Sequence, residues 1–234
     1  SGMTMIEIPA NDGGSFNAFI ARPKKDNAPV MILIQEIFGI NREMRDKCNE
    51  MAEKGFIAIC PDLFWRIEPD IQLVDSVPEQ LERAFELFGE FDPDKGMQDL
   101  AATLQRAREL EGSNGLAGCV GYCLGGMLAY RMAAETDVDA SVSYYGVGIQ
   151  EMLGKAANIN KPLMMHIAEN DQFVPPDAQQ KIIEHFKDHP IVETYSYPGA
   201  DYAFARGNRM HYKEDASKLA NQRNADLFSK HVLI

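Results

Sequence analysis

The chain has 234 residues, 45% hydrophobic and 25% charged, the profile of an ordinary globular protein whose length suits one α/β domain with a sizeable core. Its formal net charge of -12 repels nucleic-acid phosphates and anionic membrane surfaces, so neither is an expected partner. Four cysteines without CxxC spacing argue against a disulfide scaffold and for free thiols in a reducing cytoplasm.

Ser1 and Gly2 precede Met3 and read as the remnant of an expression tag, leaving 3–234 as the expected domain. No basic n-region with a cleavage site follows, and the apolar run near Val30 to Ile34 is too short to span a bilayer. Met5 to Pro9 and Phe16 to Ala21, joined by Asn11-Asp12-Gly13-Gly14, predict an antiparallel hairpin. Apolar, β-branched runs then recur at Pro29 to Ile34, Phe56 to Cys60, Leu116 to Gly121, Ala140 to Tyr145, Pro162 to Ala168 and Val192 to Tyr197. Helical patterns alternate with them at Asn41 to Lys54, Glu79 to Phe88, Pro93 to Leu110, Leu124 to Ala134, Asp177 to Phe186 and Glu214 to His231. Fully apolar strands separated by helices imply a mostly parallel central sheet with helices on both faces. The helix at Pro93 carries the clearest start signal, with Asp92 as cap and proline at the first helical position. Asp62 to Val77 reads as an irregular loop, placed to lie over a site.

One segment carries chemistry. Gly118-Cys119-Val120-Gly121-Tyr122-Cys123-Leu124-Gly125-Gly126 follows an apolar strand and precedes a helical run, the strand, sharp turn and helix of a nucleophile elbow, with cysteine in place of serine. Such a turn strains the nucleophile's backbone and demands glycine where a β-carbon would collide, here Gly121 and Gly125. The helix start lowers a thiol's pKa, and the Leu124 N–H is aimed at a developing oxyanion. The plainer alternative for Cys123 is a buried cysteine in a glycine turn; Cys119, on the strand itself, reads as core. In such folds the acid follows the nucleophile in sequence, and Asp171, beyond the Pro162 to Ala168 strand, fits that place, its alternative being a cap on the next helix.

The combined motifs resemble the dienelactone hydrolase family of α/β hydrolases. They are Gln35-Glu36-Ile37-Phe38-Gly39, Gly121-Tyr122-Cys123-Leu124-Gly125-Gly126, the Asp171 segment, and Tyr197-Pro198-Gly199-Ala200 followed by Ala203-Phe204-Ala205-Arg206. The resemblance implies an α/β-hydrolase fold and acyl transfer from small carboxylic esters or lactones, without cofactor or metal. It makes Glu36 the group that accepts the Cys123 proton when substrate binds, and Ile37 the second oxyanion-hole amide. It also makes Arg206, Phe38 and Phe85 substrate-binding. The expected state is a cytoplasmic monomer.

The family's histidine is missing: Tyr202 stands at its place. A phenol with an ordinary pKa of about 10 is a poor general base at neutral pH, where imidazole, near 6.5, is a good one. His166 sits in an apolar strand and reads as a packing residue. His185, His189, His211 and His231 read as surface residues, His211 being nearest in sequence to the expected base loop, and no metal-ligand spacing emerges. Leu81 and Phe85 also stand where the best-known dienelactone hydrolases carry arginine and tyrosine, and Arg83 would face another side of its helix. A more apolar ester, lactone or thioester is therefore expected as substrate. A non-catalytic descendant that only binds small molecules, and a different reaction using the phenol as proton donor, stay open.

Overall fold

The computed structural model describes residues 5–207 and 210–234, which form an α/β fold of eight strands and six α-helices. Two compact units are distinguished, Ser1–Ala117 and Gly118–Ile234.

In the first, β1 (Met5–Pro9), β2 (Ser15–Ala21), β4 (Ile57–Pro61) and β3 (Ala28–Ile34) lie side by side in that order. The β1/β2 hairpin is antiparallel, β2 runs against β4, and β3 and β4 are parallel with Val30 opposite Ile57. Every residue of β3 and β4 is buried, which accounts for their unbroken apolar sequences. Helix α1 (Arg42–Glu53) starts because the Asn41 side chain accepts from the Met44 N–H at 3.2 Å. Helix α3 (Pro93–Arg108) starts on Asp92, whose carboxylate accepts from the amides of Asp94 and Lys95. Helix α2 (Pro78–Glu90) has no such cap and opens on proline. The 62–77 stretch contains no helix or strand, only a single bridge from Gly39 to Gln72.

Strand β5 (Ser113–Tyr122) leads into the second unit, whose strands β5, β6 (Ala140–Tyr144), β7 (Leu163–Ala168) and β8 (Val192–Tyr197) are all parallel. Helices α4 (Leu124–Glu135), α5 (Pro176–Phe186) and α6 (Glu214–His231) connect or follow them. β5 begins earlier than its apolar run because the polar, partly exposed Ser113-Asn114-Gly115 already pair as strand. β6 ends before Tyr145, whose φ of 37° is incompatible with extended backbone. Two 3₁₀ turns, Ile149–Glu151 and Leu153–Asn158, occupy a region whose sequence has no helical period.

Candidate active site

The sharpest backbone feature of the second unit is Cys123. It sits between β5 and α4 with φ 60° and ψ -113°, a conformation that a non-glycine residue holds only when its surroundings dictate it. Its N–H donates to the Tyr144 carbonyl at 3.0 Å, and its own carbonyl accepts from Gly126 and Met127, starting the helix. A β-carbon on Gly121 would lie 1.8 Å from the Gly125 carbonyl oxygen, and one on Gly126 would lie 2.5 Å from that of Tyr144. Glycine at 121 is thus required, as expected. Gly126 is sterically required as well, and Gly125 provides the carbonyl that Gly121 must clear.

Leu124 opens α4, so its N–H has no acceptor within the helix. Cys123 is partly exposed, whereas Cys119, four positions back, is fully buried with its Sγ 3.3 Å from Ser141 Oγ. Burial pushes the Cys119 thiol up to about 12.

Asp171 lies in the loop after β7 and is only 5% exposed. Its carboxylate accepts from the Phe173 N–H at 2.8 Å, inside its own loop, while α5 is preceded by Pro175 with no side-chain cap. It therefore does not cap α5. Burial, aided by the nearby charge of Asp201, raises its pKa to about 6 despite the backbone N–H groups of Phe173 and Val174. Two hydrogen bonds fasten this loop to the one after β8: Glu169 N–H to the Tyr197 carbonyl at 3.3 Å and Asn170 N–H to the Ala200 carbonyl at 2.9 Å. Gln179, buried on α5, donates from Nε2 to the carbonyls of Ala168, Glu169 and Val174 and so clamps the Asp171 loop. Sequence reading passed over Gln179; its one signal is a polar side chain on the buried face of an amphipathic helix.

Tyr202 follows in that second loop. Its ring meets the edge of Phe173 at 4.8 Å between centroids and lies 4.5 Å from the His211 ring, with the Arg206 guanidinium 5.7 Å from its centre. Arg206 is buried, 3% exposed. His211, expected at the surface, is half-buried, with Nδ1 3.7 Å from the Asp201 carboxylate. His166 does pack in the core: Nε2 meets Asn224 Oδ1 at 2.6 Å, the Tyr197 hydroxyl meets Nδ1 at 2.7 Å, and burial holds its pKa down to about 4. His185 is exposed, and His189 and His231 are half-buried.

The first unit holds the other candidates. Glu36, two residues beyond β3, is 5% exposed, and Ile37 and Phe38 beside it are buried. Gln35 anchors this turn by accepting from the Leu63 N–H and donating to the Glu36 carbonyl, both at 3.0 Å. On α2, Phe85 and Phe88 are exposed and share a helix face with Leu81, while Arg83 is held by Glu68 and Glu86. Among the described residues no group of three or more His, Cys, Asp or Glu side chains is arranged to hold a metal, and no helix is long and apolar enough to cross a membrane.

A strained residue joining a buried parallel strand to a helix across a glycine-lined turn defines an α/β hydrolase. Residues 16–232 match the model of the dienelactone hydrolase family, and the chain belongs to that family and is a hydrolase. It is 39% identical over 224 residues to the carboxymethylenebutenolidase of Pseudomonas putida, covering 96% of this chain and 95% of that protein. It is 46% identical to an Azospirillum brasilense protein provisionally given the same name, covering 98% of this chain and 100% of the relative. A solved structure from Klebsiella pneumoniae, provisionally described as a dienelactone hydrolase, superposes with a TM-score of 0.85 at 27% identity, covering 96% of this chain and 98% of its own.

Proposed function

We propose that this hydrolase cleaves small carboxylic esters or lactones through a covalent Cys123 thioester and that Tyr202 makes the second half of the reaction slow. The observation that carries the reading is Cys123 in its strained elbow at the start of α4. The Cys123 thiolate attacks the substrate carbonyl carbon, and Glu36, as in the family, accepts the thiol proton. The backbone N–H groups of Leu124 and Ile37 hold the oxyanion. Collapse expels the alkoxide, which takes up a proton and leaves as an alcohol, or stays tethered if the substrate is a lactone. Water must then attack the thioester, and a histidine oriented by Asp171 would normally take its proton; the phenol of Tyr202 is a poor substitute.

Substrate selection rests on Arg206, Phe38 and Phe85. With Leu81 and Phe85 on α2 in place of the arginine and tyrosine of the best-known dienelactone hydrolases, the preferred acyl group is more apolar than dienelactone. No cofactor takes part, and the chain works as a monomeric single domain in the cytoplasm. Hydrolysis of a panel of esters, thioesters and lactones of graded polarity tests this: activity highest on apolar substrates and abolished in Cys123→Ala supports it. Tight binding of such compounds without turnover, unaffected by that substitution, would instead favour a small-molecule-binding descendant.

A further inference from the structure

The base missing at position 202 has a neighbour able to take its work. His211 lies 4.5 Å, centroid to centroid, from the Tyr202 ring, and its Nδ1 faces the Asp201 carboxylate at 3.7 Å. Asp201 in turn lies close enough to Asp171 to help raise its pKa. Phe173, whose N–H is bound by Asp171, packs its ring against Tyr202, and Asn170 is hydrogen-bonded to the residue preceding Asp201. A carboxylate and an imidazole, the two groups of a histidine base and its orienting acid, thus stand in the loop region of the absent one, fastened to the segment that carries Asp171.

We infer that Asp201 and His211 form a surrogate acid–base pair that activates water for breakdown of the Cys123 acyl-enzyme. This rests on the cysteine-nucleophile reading above. A proton on His211 Nδ1, facing Asp201, leaves the lone pair on Nε2. In the step, the water oxygen forms a bond to the thioester carbonyl carbon while its proton passes to Nε2. The tetrahedral adduct then expels the Cys123 thiolate, breaking the C–S bond and releasing the carboxylic acid. The imidazolium returns its proton to the thiolate or to solvent, and no oxidant or cofactor is involved. Asp201 is a positioning residue: its carboxylate, 3.7 Å from Nδ1, supports the imidazolium.

The test measures the lifetime of the acetyl adduct formed by 4-nitrophenyl acetate, followed by intact mass on the full chain. His211→Ala is expected to form the adduct and to lose it about 10- to 100-fold more slowly than the parent, Asp201→Asn lying between them. Free imidazole is expected to shorten the adduct's life in His211→Ala by a larger factor than in the parent, which a purely structural defect would not allow. An unchanged lifetime in His211→Ala, or a lengthened one that imidazole shortens no more than in the parent, overturns the assignment while leaving the cysteine reading intact. Absence of any adduct in both the parent and His211→Ala overturns both.

Discussion

On the proposed cysteine-hydrolase reading, Tyr202 decides how much of the family's chemistry survives. At pH 7 Asp171, with its pKa raised to about 6, is mostly ionised and suited to orient an imidazole, whereas an ordinary phenol gives up its proton only in alkaline solution. Tyr202→His is therefore expected to raise steady-state turnover of a small ester at least about tenfold, measured as kcat, because it restores a base worth 10²–10⁴-fold in typical enzymes. The same Asp171 makes a prediction about stability. Its pKa is raised from 3.8 to about 6, so the folded state disfavours the ionised form. The contribution of the protonated carboxyl is full below about pH 4 and is lost as pH rises through about 6. Asp171→Asn, whose amide oxygen can still accept from Phe173, is expected to melt above the parent by a margin that grows from pH 4 to pH 7, as followed by thermal denaturation. A constant margin would count against that titration.

At the scale of elements, the elbow and the β6–β8/α6 network carry the second unit. Gly121→Ala would force a β-carbon against the Gly125 carbonyl, and loss of at least about 3 kcal/mol in urea unfolding, or failure to fold, is expected. Asn224 joins His166 on β7 to the Tyr144 hydroxyl on β6, while Arg223 donates to the Tyr197 hydroxyl from β8. Asn224→Leu leaves the His166 Nε2–H buried without its acceptor and is expected to cost about 1–3 kcal/mol by the same measurement. Helix starts such as Asn41 and Asp92 were legible because the cap residue and the first turn are adjacent in sequence. So were β3, β4, β6 and β7, buried at every residue and made mostly of apolar side chains. The role of Gln179 and the half-burial of His211 were not legible, since both depend on which loops meet after the strands are assembled. The 3₁₀ turns were missed for a similar reason: they follow from how the chain leaves β6, not from a period in their residues.

Across the whole molecule, the chain is expected to unfold as one domain. Calorimetry should then give a single transition with equal calorimetric and van't Hoff enthalpies, and a calorimetric enthalpy well above the van't Hoff value would mean that the two units melt apart. The family and the sharp strand-to-helix turn at Cys123 were readable from the sequence because their motifs are local. What the sequence left open was what surrounds Tyr202, because Asp201, Phe173, Arg206 and His211 come together only through loop packing. The most direct measurement of the central claim is 4-nitrophenolate release from 4-nitrophenyl acetate at enzyme concentrations high enough to resolve one turnover, with intact-mass analysis alongside. A burst equal to the enzyme concentration, a much slower steady phase, and an acetyl adduct that Cys123→Ala lacks are expected. Linear release from the first turnover with no adduct on Cys123 would contradict the claim.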